Sequence, residues 1–286
     1  MNGIVVVNKP KEWTSRDVVN HMNHILHTKK IGHTGTLDPL ATGVLVLCIG
    51  KCTKLVEMIT SYDKEYKADV VLGTLTDTLD VTGNIVKEEE VYKTKEEIIH
   101  VLQSFEKTYD QEVPLYSAIK KEGKKLYEYA REGKTVLLPK REVTISNIQL
   151  IGDIQYKDEK TYFSFSCTVS KGTYIRSLIR DIAVSLGTIG SMKELCRTRQ
   201  GSYLLENAYT IEDIEKGNYE LLDIASALTS YPKVKVSKEV EEKIKNGSPL
   251  PNLYGVDTPL FVSENGTLLA LYKPYKENLI KPFKML

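Results

Sequence analysis

The sequence holds no apolar run approaching the roughly eighteen residues a membrane-spanning helix needs. No membrane role is expected from it. It has 4 cysteines in 286 residues, Cys48, Cys52, Cys167 and Cys196, and none forms a CxxC pair. With no secretory leader legible, this predicts a reducing, cytoplasmic setting, without a disulfide framework or structural zinc. Cys48 and Cys52 read as core thiols rather than as metal ligands with His33. His21, His24 and His27 share one helical segment, but no carboxylate or cysteine completes a ligand set, so they read as solvated helix surface and no metal is expected. Charge of one sign is also missing, because the net charge is only +1. A nucleic-acid partner would have to show itself as a local basic face. A phosphate-binding Walker loop is absent as well. Gly50-Lys51 has Leu45 in place of the first glycine and is followed by Cys52. Internal repeats and low-complexity segments are not found.

What is present suffices for a large core: 41% of residues are hydrophobic and 27% charged. The centre of interest is Ile31 to Gly43, IGHTGTLDPLATG. Three glycines, one histidine, one proline and a single carboxylate share this run. Pro39 pushes Asp38 toward an extended backbone, so the carboxylate belongs to a turned loop and not to a helix. Such a loop can present a nucleophile at the floor of a cleft. It can equally hold an aspartate that only bonds its own turn.

Around this loop the pattern mixes helix and strand. Gly3 to Val7 reads as a buried strand. Thr14 or Ser15 caps a helix carrying Val18, Val19, Met22, Ile25 and Leu26. Val44 to Ile49 is a continuous apolar strand. Lys51 to Ser61 reads as a helix, and Lys64 to Gly73 as an alternating strand with Tyr66 near its start. Thr94 and Glu97 make a capping box for a helix to about Ser104. From Phe105 to Arg141 the composition shifts. Eight Lys or Arg face four Glu between Ser117 and Glu142, interleaved with tyrosines. That suits RNA, through phosphate neutralisation and base stacking, or a solvated insertion with a small core of its own. Glu142 to Ile151 and Thr161 to Val169 read as paired antiparallel strands. Tyr174 and Arg176 stand where the second of these passes into a helix that stops at Gly187. Met192 to Arg199 is a short basic segment. A boundary is expected near Tyr231-Pro232, giving domains 1–231 and 232–286. The second is a small module of short strands that leans on the first.

Taken together these residues resemble the tRNA pseudouridine-55 synthases of the TruB type, over nearly the whole chain. IGHTGTLDPLATGVL is similar to the family's first motif, with Asp38 at the catalytic aspartate and His33 five residues before it. Asn8-Lys9-Pro10 with Thr14-Ser15 resembles the amino-terminal element. KEYKADVVLG with TDTLDVTG resembles the second motif, with Tyr66 at its tyrosine. YSAIKKEGKKLYEYAREGK resembles the thumb-like RNA-clasping insertion, about 105–141. SKGTYIRSLIRDI carries the Tyr-x-Arg pair as Tyr174 and Arg176, and LCRTRQG places Leu195 at the family's leucine. The tail resembles a PUA-type RNA-binding module. Three positions depart from the pattern: Glu12 replaces a usual glycine, Val113 a usual proline, and Cys196 a common arginine.

The resemblance implies a mixed α/β (α+β) pseudouridine synthase fold. Its central sheet is mixed and largely antiparallel, flanked by helices, with a small β-rich PUA-like module. It implies isomerisation of uridine to pseudouridine in the T arm of tRNA, with no cofactor and no obligatory protein partner, by a monomer. Asp38 is then the nucleophile, attacking C1′ of the ribose or C6 of the base, and Arg176 its counter-ion. Tyr66 stacks on the uracil and takes part in removing the C5 proton. A tyrosine's ordinary pKa of about 10 means it needs activation or a water relay for this. Tyr174 packs or bonds the base and Leu195 forms an apolar wall. His33 fills the space the flipped base vacates or stacks under a neighbouring nucleotide, or is simply structural. Lys9 contacts a phosphate or braces the loop. Two other functions fit the same features: a tRNA-folding chaperone, and the catalytic subunit of a guide-RNA particle.

Overall fold

The computed structural model describes residues 1–286. Its first part runs β1 (Gly3–Lys9), α1 (Ser15–Ile25), β2 (Ile31–His33), β3 (Thr42–Ile49), α2 (Val56–Thr60), β4 (Lys64–Leu72), β5 (Thr74–Thr76), β6 (Ile85–Glu88), α3 (Lys95–Ser104) and β7 (Thr108–Glu112). A projecting arm follows, with the tiny hairpin β8 (Lys120–Lys121) and β9 (Lys124–Lys125) and the helix α4 (Leu126–Arg131). The chain returns through β10 (Lys140–Lys157), β11 (Lys160–Val169), α5 (Ile175–Ser185), β12 (Gly190–Gln200), β13 (Tyr203–Leu204) and α6 (Ile211–Glu215). The last part is β14 (Lys233–Lys235), α7 (Lys238–Lys245), β15 (Leu250–Pro251), β16 (Leu260–Val262), β17 (Leu268–Lys276) and β18 (Leu279–Met285).

The main sheet has the order β1-β3-β12-β4-β11-β10-β7, with β2 paired to β3 and β13 to β12. Every pairing in it is antiparallel except β3 with β12, which is parallel. The fold is therefore mixed α/β with a largely antiparallel central sheet, as expected.

The apolar runs of β1 and β3 explain the two layers that cover this sheet. Side chains alternate between faces along a strand. Val5, Val7, Leu45, Leu47 and Ile49 pack with Val18, Val19 and Met22 of α1 and Leu178, Ile179 and Ile182 of α5. Ile4, Val6, Val44, Val46 and Cys48 face the other way, onto Leu55, Met58, Ile59 and Leu228. Both faces are dry, so the run is apolar throughout and not alternating.

Several expected elements differ in detail. Lys51 to Ser61 is not one helix: Gly50–Leu55 is 3₁₀ and only Val56–Thr60 is α. Met192 to Arg199, read only as a short basic segment, is most of β12, in the middle of the sheet between β3 and β4. Its charges hid it from a hydrophobic pattern. The insertion is narrower than 105–141. Phe105 is buried in the main core and β7 closes the edge of the sheet against β10, which leaves 113–139 as the arm. The short amphipathic helix α7 was not anticipated.

The tail forms its own sheet, in the order β14-β16-β17-β18-β15. It does lean on the larger body. Leu260 and Leu271 are completely buried in the same cluster as Ile4, Val44 and Val46. Lys54 donates to the carbonyl of Met285 at 2.9 Å, and Lys284 pairs with Glu57 at 2.8 Å.

Candidate active site

The loop that carries Asp38 is pinned on both sides of that residue. Thr14 caps α1, and its hydroxyl and the Asp17 carboxylate form a reciprocal capping box. The next residue, Ser15, is buried. Its hydroxyl accepts from the Leu37 N–H at 2.9 Å and lies 3.4 Å from the Leu37 carbonyl. On the far side, the Glu12 N–H donates to the Pro39 carbonyl at 2.8 Å. Lys9 ends β1 with no exposed surface, and its ammonium donates to the carbonyls of Trp13, Pro10 and Pro39 at 2.5, 2.8 and 3.3 Å. Burial pushes this lysine down to about 8 against the opposing pull of the Asp38 charge. Leu37 and Pro39 are thus held by the body of the protein, and the carboxylate between them projects outward.

It projects toward Arg176, in the first turn of α5. The Nε of Arg176 lies 2.9 Å from one carboxylate oxygen and Nη2 donates to the other at 3.1 Å. This two-pronged pair fixes the plane of the carboxylate, which a lysine's point charge would not do. Arg176 is itself almost fully buried. It also donates to the Thr78 carbonyl at 2.9 Å, on the β5–β6 turn, and to the Tyr116 carbonyl at 3.1 Å, on the arm. Asp80 is buried 3.9 Å from the same guanidinium. Its carboxylate accepts from the Thr82 N–H at 3.0 Å and from the hydroxyls of Thr78 and Thr82 at 2.9 and 2.5 Å. Asp80 thereby locks the turn whose Thr78 carbonyl holds Arg176.

Asp38 and Arg176 open onto a cavity of about 340 Å³. Tyr66 reaches it from β4, Tyr174 from the entry to α5 and Leu195 from β12, while Tyr116 and Tyr127 cover it from the arm. The Tyr174 N–H donates to Gln111 at 2.8 Å, and burial pushes its phenol above the ordinary range. The walls are aromatic and apolar, and the ion pair is the charged group in the lining. A planar base fits such a space, with its reacting edge toward a carboxylate.

Of the residues singled out from sequence, five meet at this cavity: Asp38, Tyr66, Tyr174, Arg176 and Leu195. His33 and Lys9 lie outside it. His33 ends β2, where its Nδ1 accepts from the Gly35 N–H at 3.4 Å. Burial, helped by the charges of Arg16 and Arg197, pushes its imidazole below the ordinary value. Lys9 lies beneath the loop, so of its two possible tasks the geometry supports the brace. Asp80 and Arg197 were not singled out, although TDTLDVTG and LCRTRQG contain them. Buried charges in polar stretches look like surface residues in a sequence, and only the packing tells them apart.

Three comparisons bear on the family. Residues 23–175 match the N-terminal domain of the TruB family pseudouridylate synthases, and residues 176–228 match the tRNA pseudouridylate synthase B C-terminal domain. The chain is 41% identical to a tRNA pseudouridine synthase B of Halalkalibacterium halodurans over 100% of its own length and 98% of the relative's. It is 40% identical to one of Bacillus licheniformis, over 100% and 97%. Among solved structures it resembles a chain of an H/ACA RNP bound to a substrate RNA containing 2′-deoxyuridine. The TM-score is 0.72 at 24% identity, covering 99% of this chain and 84% of that one, which speaks for the fold alone. The first two matches together cover residues 23–228, which include Asp38, Tyr66, Tyr174, Arg176 and Leu195. With full-length relatives at this identity, they show that the chain belongs to the TruB family of pseudouridylate synthases.

Proposed function

We propose that the protein isomerises one uridine of the tRNA T arm, at position 55, to pseudouridine, with Asp38 as the nucleophile. The observation that carries this reading is the two-pronged Arg176–Asp38 pair at an aromatic-walled cavity of about 340 Å³. Each carboxylate oxygen spends one lone pair on Arg176 and keeps another for attack. Attack at C1′ or C6 leads to cleavage of the C1′–N1 bond. The uracil turns in the pocket and C5 bonds to C1′. C5 then loses its hydrogen as a proton, and N1 gains one. Nothing is oxidised or hydrolysed, so the chemistry calls for no cofactor. Tyr66 faces the base and is the side chain best placed to relay the C5 proton. Tyr174 and Leu195 supply stacking and apolar contact.

The uridine must leave its stack to enter, at a cost of a few kcal/mol that the pocket contacts offset. The arm at 113–139 covers the cavity. On it Lys125 and Arg131 lie over Tyr127 and Lys124 over Tyr129, a basic and aromatic surface suited to RNA. In the tail module at 232–286, the β17–β18 hairpin carries Lys273 against Phe283, and Lys276 and Lys281 against Tyr275. We assign both to phosphate contact, so tRNA affinity falls with salt. The arm also favours a monomer that grips tRNA unaided in the cytoplasm over a guide-dependent subunit.

A T-arm hairpin labelled with tritium at C5 of its uridines tests the reading. The purified protein, with no added cofactor or guide, is expected to release tritium equal to one uridine per hairpin. Binding without release contradicts the enzymatic reading and favours a folding chaperone. Release only after a second RNA is added favours the guide-dependent one.

A further inference from the structure

We propose that Arg197 is a positioning residue that aims the Tyr66 hydroxyl into the cleft and ties it to the Asp38 loop. The proposal rests on reading this cleft as the uracil site. Arg197 lies in β12, directly opposite Tyr66 of β4 and Gly43 of β3. It heads the completely buried side chains by volume. Its bonds go to the Val44 carbonyl at 2.6 Å, the Gly35 carbonyl at 3.2 Å and the Tyr66 hydroxyl at 3.4 Å, and none goes to a carboxylate. One side chain therefore spans β3, β4 and the loop three residues before Asp38.

The direction of the third bond follows from the chemistry of the group. A guanidinium only donates, so the Tyr66 oxygen accepts. The phenol's own O–H then points away from Arg197. No other protein group pairs with it, and the cavity lies in front of it. Tyr66 thus faces a bound base as a donor with its orientation preset.

Stability alone does not account for a charge at this place. A buried cation without a carboxylate costs free energy, and apolar replacements of buried charges are often neutral or stabilising. Lys9 and Lys64 crowd the same region and have only carbonyl acceptors, so the cost is compounded. The backbone is also built around Arg197. Gly43 has φ +98°, and a Cβ there would lie 2.2 Å from the Arg197 carbonyl oxygen. The close approach of β3 to β12 puts the guanidinium under the loop.

The test is a double-mutant cycle on single-turnover conversion of a tRNA transcript, using Arg197→Met and Tyr66→Phe. Arg197→Met is expected to slow conversion about tenfold or more while tRNA affinity stays within about twofold. In the Tyr66→Phe background the same change is expected to add about twofold or less. A full second loss in that background overturns the proposal, because Arg197 would then act independently of the hydroxyl. A readout free of turnover covers a misfolded or inactive variant. The fluorine resonance of 3-fluorotyrosine placed at position 66 is expected to shift in Arg197→Lys, while one placed at position 162 stays still. An unmoved resonance at 66 also overturns the proposal. Failure of the functional reading looks different: the unaltered protein would convert nothing, whatever the resonance does.

Discussion

Glu12 sits at φ 69°, in the left-handed backbone region that favours glycine. The resemblance to the family marks glycine as usual at this position, and the structure supplies the reason. The turn must reverse sharply for the residue 12 N–H to reach the Pro39 carbonyl. Glu12→Gly is therefore expected to raise stability by roughly 1 kcal/mol. Urea unfolding measures it, and a loss of stability would contradict the strain argument. Lys64 gives a second prediction for single residues. Burial, helped by the Arg197 charge, pushes it from its ordinary 10.5 to about 8. Between these values the unfolded chain holds the proton and the folded chain has released it. The unfolded state binds more protons there, so the lysine's contribution to stability rises with pH across that window. The stability gap between the unaltered protein and Lys64→Met should widen in favour of the unaltered protein from pH 8 to 10, by up to about 1.4 kcal/mol per pH unit. A flat gap would show that Lys64 keeps its ordinary affinity for the proton.

At the scale of elements, the junction of β1, α1 and the Asp38 loop is the unit that sets the nucleophile. Ser15 is its hinge pin, because it answers the Leu37 N–H in a buried place. Ser15→Ala leaves that donor unpaired, which costs about 1–3 kcal/mol. The predicted signature is a fall in kcat with KM little changed, since the loop loosens but the tRNA surfaces do not. An unchanged kcat would mean that Lys9 and Glu12 hold the loop without help. Much of this unit was legible in the sequence. The capping residues before Val18, the Asp-Pro pair and the apolar run from Val44 to Ile49 each act locally, so periodicity and turn chemistry reveal them. β12 was not legible. Its pattern reads as a surface segment because Lys193, Glu194, Arg197 and Arg199 interrupt it, and only the neighbours β3 and β4 make it a central strand. Asp80, and the use of the Tyr116 carbonyl on the arm as an acceptor, escaped for a related reason. Their contacts with Arg176 join residues far apart in the chain, and no local rule reports on them.

At the scale of the molecule, the tail sheet shares a buried cluster with the main sheet through Leu260 and Leu271. A chain ending at residue 231 would expose the matching surface of Ile4, Val44 and Val46. We expect its Tm to fall by roughly 10 °C and its tRNA affinity to fall with it. An unchanged Tm would show that the two sheets are thermally independent. The central claim concerns the whole assembly of loop, arm and sheet around one uridine. Its most direct test maps pseudouridine at single-nucleotide resolution in an unmodified tRNA transcript after incubation with the purified protein alone, beside the Asp38→Asn variant. The account predicts conversion at one T-arm uridine, lost in Asp38→Asn while the variant still binds the transcript. Conversion that survives in Asp38→Asn, or no conversion of a transcript that is bound, would contradict it.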